Sequence, residues 1–150
     1  MRTIKKIIKK TIGVLFLVLL IIGGVIGYKG YERYKEVLEK VPLLEKIAEI
    51  RQKPSYTEIE DLPQIYLDAV VAVEDKRFYH HPGIDPLSIA RAVRNDIRAR
   101  ALIEGGSTIT QQLAKNLYFG QEQSLNRKVA EGMLALKLEW NYTKEEILEL

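Results

Sequence analysis

The longest uninterrupted apolar pattern lies near the start of the chain. Thr11 to Gly27 reads TIGVLFLVLLIIGGVIG and carries no charge. At about 1.5 Å rise per residue a helix of this run falls slightly short of a bilayer core of about 30 Å. Tyr28 and the lysine stems at its flank complete the span, because Tyr and Lys sit well at the interface. Residues 11–28 are therefore predicted to be a transmembrane helix. From Gly30 to Arg51 the pattern turns amphipathic, with Val37, Leu38, Val41, Leu44 and Ile47 mostly three or four apart among Glu and Lys. This predicts a surface or juxtamembrane helix that is interrupted or restarts at Pro42. Lys53 to Asp61 is a polar connector around Pro54, with room for an extended or crossing stretch.

Helical spacing dominates the rest. Pro63 fits a first helical turn. Ile65, Tyr66, Ala69, Val70 and Val73 then carry a helix to about Glu74, and this apolar excess is read as core in preference to a surface that dips into the membrane. Pro82 and Gly83 mark a turn, and Asp85 before Pro86 is a cap followed by proline at the first helical position. Ile89, Ala90, Val93 and Ile97 form one face of the helix that follows. Gly105 and Gly106 break the chain, and Ser107 or Thr108 caps a helix through Ile109, Leu113 and Leu117. Gly120 to Gln123 is a loop, and Ser124 caps a long helix through Val129, Met133, Leu136 and Trp140. Thr143 with Glu146 forms a capping box that opens a last helix with Ile147 and Leu150. No strand-like alternation follows Pro63, so the class is mainly α. The last helix carries no stop signal, and the fold is expected to be incomplete at Leu150.

Charge orients the chain. Arg2, Lys5, Lys6, Lys9 and Lys10 precede the apolar run and no acidic residue does. Residues 1–10 should stay in the cytoplasm and everything after Tyr28 should lie outside, in a single pass. A cleaved signal peptide is the alternative, but its apolar stretch is shorter, and this run passes directly into a charged segment. The 150 residues suffice for one modest domain besides the anchor, with residues 29–61 as juxtamembrane region and connector. Lys and Arg number 23 against 20 Asp and Glu, so no nucleic-acid partner is expected. The chain has no Cys and two adjacent His, which excludes thiol chemistry and disfavours a His/Cys zinc site. A carboxylate site for a hard divalent cation, Mg or Mn, stays open, and no organic cofactor is expected.

Three clusters could carry chemistry. In VVAVEDKRFYHHPGID an apolar helical run ends abruptly in Glu74 and Asp75, a setting that can tune a carboxylate as a general base. The plainer alternative is an ion pair with Lys76 or Arg77. In GGSTITQQLAKN the glycines permit close approach and the helix start can receive an anion. There Thr108, Gln112 and Lys115 can share one face, although an ordinary capped helix accounts for the same pattern. Arg127, Lys128 and Glu131 read equally well as helix-surface pairs. Arg91, Arg94, Arg98 and Arg100 read as a solvated face, with anionic lipid or pyrophosphate as the functional alternative.

The order of these clusters resembles the peptidoglycan glycosyltransferases, which extend glycan strands from lipid II either alone or at the front of bifunctional penicillin-binding proteins. The family's E-D-x-x-F-x-x-H-x-G-I-D pattern is met by Glu74, Asp75, Phe78, His81, Gly83, Ile84 and Asp85. G-x-S-T-I-T-Q-Q-x-x-K-N is matched from Gly105 to Asn116, R-K-x-x-E by Arg127, Lys128 and Glu131, and K-x-x-I-L-E by Lys144, Ile147, Leu148 and Glu149. The resemblance covers residues 62–150 and, through the anchor, fits the chain before them. Family domains continue past the fourth motif, so the resemblance implies a C-terminally truncated domain of lysozyme-like, two-lobed helical form. A stand-alone enzyme is preferred over a bifunctional one.

The resemblance implies that Glu74 is the base that deprotonates the acceptor's 4-OH, with inversion at C1 of a lipid-linked strand, a new β-1,4 bond and release of undecaprenyl pyrophosphate. Glu131 matches a second essential glutamate, which orders the donor site or helps hold a metal. Lys115 and Arg127, then Lys128, are implied to contact pyrophosphate. Thr108, Gln111 and Gln112 would bind sugar or phosphate oxygens, and Asp75, Phe78 and His81 would shape the site. Lipid II, the lipid-linked strand, the bacterial cytoplasmic membrane and a cell-wall synthesis complex are the implied partners. The competing readings are a lysozyme-like glycan hydrolase and an inactive anchored scaffold.

Overall fold

The computed structural model describes residues 2–100, 105–120, 122 and 124–150, with side chains from Lys5 onward. Its regular elements are helices: α1 (Arg2–Lys40), α2 (Leu43–Arg51), α3 (Gln64–Glu74), α4 (Pro86–Ala99), α5 (Ile109–Tyr118), α6 (Leu125–Asn141) and α7 (Lys144–Glu149). Tight 3-10 turns form at Ile59–Asp61 and Phe78–His80. No strand occurs among the described residues, as the mainly α reading requires. Met1 and, in the expected loop after Gly120, Gln121 and Gln123 lie outside the described residues.

The apolar run and the amphipathic segment after it form one continuous helix of 39 residues. Glycine lowers helix propensity by about 1 kcal/mol, but nothing between Gly23 and Lys40 removes a backbone hydrogen bond. The first residue to do so is Pro42, and α2 begins directly after it. Through Val25 the described side chains of α1 are exposed. This helix is long and apolar enough to cross a membrane.

Past Tyr28 the same helix packs on α6. Gly30 is buried there, and a Cβ on it would lie 2.5 Å from Val129 Cβ and 3.0 Å from the Asn126 carbonyl. Only glycine permits this approach. One turn on, the Arg33 guanidinium donates to both Glu122 carboxylate oxygens at 2.9 and 2.5 Å and lies 5.5 Å from the Phe119 ring centroid. Leucine at position 30 must push α1 and α6 apart, so Gly30→Leu should destabilise by about 1–3 kcal/mol, the usual cost of overpacking. Thermal unfolding in detergent measures it, and an unchanged midpoint would show that the two helices separate freely.

The core lies where α5, α6 and α7 meet. Phe78, Leu134 and Leu138 are fully buried, with Leu113, Leu117 and Ile147 around them and Leu43 and Ile47 of α2 closing one side. Burying a side chain of this size stabilises by about 1.5–3 kcal/mol. Ala114, Ala130 and Ala135 are also fully buried, which lets the helices approach closely. α7 opens on the expected capping box, with Thr143 accepting from the Glu146 N–H and Glu146 accepting from the Thr143 N–H.

One expectation is corrected. On α3 Leu67 is buried and Val71 packs against the core, four residues apart on one face. Ile65, Tyr66 and Val73 are 80%, 56% and 78% exposed, so most of the apolar excess assigned to the core lies outside it. In the connector, turns at residues 52–55 and the 3-10 turn at Ile59–Asp61 flank a short irregular stretch, and Tyr56 O–H and the Ile59 N–H both donate to Glu149 of α7. On α4, Ala92 is buried while Leu87, Ile89, Val93 and Ile97 are exposed. Arg91, Arg94, Arg98 and Arg100 are exposed as well.

Candidate functional site

The loop between α3 and α4 is held by three carboxylates with different tasks. Asp85 caps α4, accepting from the Leu87 N–H at 3.0 Å, from Ser88 Oγ at 2.7 Å and from Arg77 Nε at 2.9 Å. Burial alone would raise its carboxyl. The hydrogen bonds from Ser88 and Leu87 and the charge of Arg77 outweigh burial and hold it at about 2, below its ordinary 3.8. A depressed folded-state value stabilises the fold above the unfolded value and loses that contribution as pH falls. The stability gap between the wild type and Asp85→Asn should therefore be fully open above pH 3.8 and close as the pH drops through about 2. Urea titrations across that range test it, and a gap independent of pH would contradict it.

Asp75 follows the last residue of α3 and is turned inward. Its Oδ2 lies 2.9 Å from His81 Nε2 and accepts from the Ile109 N–H at 3.2 Å, while Oδ1 accepts from the Arg77 N–H at 3.3 Å. The Gly83 N–H donates to His81 Nδ1 at 3.1 Å. Nδ1 is thus the acceptor, and the proton between His81 and Asp75 sits on Nε2. Gly83 has φ +92°, and the Ala135 carbonyl would be 2.9 Å from a Cβ there. Thr108 Oγ donates to the Gly83 carbonyl at 2.6 Å and also accepts from the Gln111 N–H in a capping box. The first two motifs are therefore locked together through Asp75, His81, Gly83 and Thr108.

Glu74, next to Asp75, points the other way. It is exposed, and its Oε2 accepts from Gln112 Nε2 at 2.6 Å. The two side chains face a cleft of about 600 Å³ whose wall also includes Arg91, Ser107 and Lys115. Gln112 and Lys115 thus share a face, as their spacing predicts. Thr108 touches the same cleft but spends its hydroxyl on Gly83 and the cap. Gln111 is buried, with its Oε1 on the Thr108 N–H at 3.1 Å. Phe78 and His81 do not line the cleft: they lie beneath it, at 0% and 7% exposure.

The third cluster is one turn of α6. Glu131 is fully buried, with one carboxylate oxygen paired to Arg127 and the other 3.0 Å from Lys128 Nζ. Lys128 also donates to Ser107 Oγ at 2.6 Å, which ties this cluster to the edge of the cleft. Arg127 Nε is buried and has no hydrogen-bond partner among the described residues. From Ser107 an apolar groove of about 640 Å³ continues past Ile89, Val93, Val129 and Met133 to Ile26 of α1.

A divalent cation finds no protein-built site among these side chains. Both Glu131 oxygens are committed to cations, and no group of three or more His, Cys, Asp or Glu among the described residues is placed to hold a metal.

Ser107 stands in the sequence only as an alternative cap, and no local pattern marks Glu139, whose carboxylate accepts from Thr110 Oγ and Lys144 Nζ. Ser107 has the two glycines before it as a signal. Glu139, on the face of a long helix, has none.

A family model described as transglycosylase matches residues 42–150. The chain is 48% identical over 99 residues to penicillin-binding protein 1A of Aquifex aeolicus (strain VF5), an overlap of 66% of this chain and 14% of that protein. It is 49% identical over 92 residues to penicillin-binding protein 1F of Bacillus subtilis (strain 168), covering 61% of this chain and 13% of the other. With penicillin-binding protein 1B of Haemophilus influenzae the identity is 44% over 91 residues, 61% of this chain and 12% of the relative. The matched region thus spans 12–14% of the length of these curated relatives.

Proposed function

This chain belongs to the transglycosylase family, and on that premise we propose that it forms β-1,4 glycan links of peptidoglycan from lipid II, with inversion and release of undecaprenyl pyrophosphate. The observation that carries the reading is a single cleft with an exposed carboxylate, Glu74, on one wall and cationic Arg91 and Lys115 on others, opening at Ser107 into an apolar groove that reaches the anchor helix. Glycosyl transfer from a lipid pyrophosphate needs those three features: a base, positive charge for the leaving group and an apolar path for the tail.

In the proposed step the 4-OH of the acceptor GlcNAc attacks C1 of the lipid-linked strand. Glu74 takes the hydroxyl proton as the new C–O bond forms. The old C1–O bond breaks with its electron pair, which leaves on the pyrophosphate. Lys115 and, through the edge of the cleft at Ser107, Lys128 and Arg127 meet that charge. Gln112 steers the Glu74 carboxylate. The site belongs to a lysozyme-like, two-lobed domain on the outer side of the bacterial cytoplasmic membrane, with the basic start of the chain in the cytoplasm. Lipid II and the growing strand are its substrates, and a cell-wall synthesis complex is its setting.

Removing a cation of the cleft should weaken donor binding. One charge-assisted contact is worth roughly 2 kcal/mol when partly buried. Lys115→Ala should therefore lower the affinity for a lipid-pyrophosphate analogue about 30-fold at unchanged stability, as titration calorimetry measures. Equal affinity would remove Lys115 from the donor site. The reaction class is tested by supplying the full-length protein, reconstituted in lipid, with lipid II and in parallel with finished glycan. Polymer from the first and no fragments from the second is the expected result. Fragments from finished glycan would make it a hydrolase, and no product from either would make it a scaffold.

A further inference from the structure

Behind the cleft lies an ion pair that the proposed chemistry does not use. Lys144 Nζ donates to Glu139 Oε1 at 2.7 Å, and both side chains are largely buried, 18% and 9% exposed. The same ammonium donates to the His81 carbonyl at 2.8 Å and lies 4.3 Å from the Phe78 ring centroid. Glu139 Oε1 also accepts from Thr110 Oγ at 2.6 Å. The Glu139 stem lies against Gly83, with its Cγ 3.0 Å from where a Cβ would stand. Two charges taken this far from water are costly unless their remaining hydrogen-bonding capacity is used, and each of these partners uses some of it.

The partners share a purpose. Phe78, His81 and Gly83 are the loop between α3 and α4, Thr110 belongs to the first turn of α5, and Glu139 and Lys144 flank the junction of α6 and α7. His81 is held at its carbonyl by Lys144 and at its ring by Asp75 and Gly83. Asp75 is bonded in turn to the start of α5 and stands next to Glu74. We propose that Glu139 and Lys144 are positioning residues: their pair clamps the Phe78–Gly83 loop onto α5, fixes the His81–Asp75 hydrogen bond, and so sets where Glu74 meets the acceptor. The last clause rests on the proposed glycosyl transfer, whereas the clamp itself does not.

The chain has two histidines, His80 exposed and His81 buried, so nitrogen-15 labelling of histidine in this 150-residue chain in micelles gives two distinguishable rings. In the wild type the His81 ring should report a single tautomer with the proton on Nε2 and slow exchange with water. Glu139→Gln and Lys144→Met should each speed that exchange at least tenfold and mix the tautomers. Lys144→Arg, which keeps charge and donors, should restore the wild-type spectrum. Thr110→Val removes one hydroxyl and is the mild variant should the charge changes impair folding; it too should speed exchange. In lipid II turnover the charge variants should lose kcat at least tenfold with KM unchanged, since the clamp does not touch substrate. A wild-type His81 signal in every folded variant would overturn the clamp. An altered signal with unchanged kcat would leave the clamp standing and overturn its link to Glu74. Absence of turnover in the wild type itself would count against the proposed transfer and leave the spectral result to decide the clamp.

Discussion

Glu131→Ala is expected to destabilise the fold by about 3–5 kcal/mol, the cost of removing one partner of a buried ion pair. Glu131 is fully buried and is the shared counter-charge of Arg127 and Lys128. Its removal leaves the Arg127 guanidinium, 12% exposed and already carrying one unpartnered nitrogen, without compensation in a poorly solvated site. Lys128 is 45% exposed and can turn to water, so most of the cost falls on Arg127. Glu131→Gln keeps one acceptor oxygen and should cost less. It should still weaken binding of a lipid-pyrophosphate analogue, because the two cations lose the group that aims them. Denaturant unfolding and analogue titration measure the two effects. A Glu131→Ala protein within 1 kcal/mol of wild type would show that the trio is a surface arrangement and not a buried one.

Glu74→Gln should behave in the opposite way. The side chain is exposed, so the substitution leaves no buried charge unpaired, and Gln112 can still donate to an amide oxygen at this position. Folding and donor affinity should therefore stay close to wild type. The glutamine cannot accept the hydroxyl proton, and losing a general base lowers the rate by about 10²-fold or more. The contrast between the two glutamates is the informative result: Glu131 variants lose stability and donor affinity, while Glu74→Gln loses rate alone. Donor affinities that fall equally for both would place Glu74 in binding and not in proton transfer.

Local signals carried most of the architecture. Asp85 before Pro86, Ser107 or Thr108 after the two glycines, and Thr143 with Glu146 each mark a helix start, and caps form at Asp85, Thr108 and Thr143. The helical class followed from spacing. Other features lay beyond local reading. The continuity of α1 depends on the absence of a breaker before Pro42, whereas the change from apolar to amphipathic composition suggests two elements. The exposure of Ile65, Tyr66 and Val73 could not be read from apolarity, because a helix with apolar residues on several faces does not say which face has a neighbour. At the site, the pairing of Gln112 with Lys115 along one face followed from helical period. The opposed directions of Glu74 and Asp75 did not, since they depend on the His81 ring and the start of α5. The clamp of Glu139 joins residues 29 apart in sequence to Thr110, and no local pattern marks it.

The central claim, that Glu74 is the base of a glycosyl-transferring cleft, is tested most directly by polymer formation from labelled lipid II. Full-length wild type and Glu74→Gln, reconstituted in the same lipid, are compared at donor concentrations that saturate both. The account predicts long glycan strands from the wild type and at least about 100-fold slower bond formation by the variant. Strands formed by Glu74→Gln at the wild-type rate would contradict it.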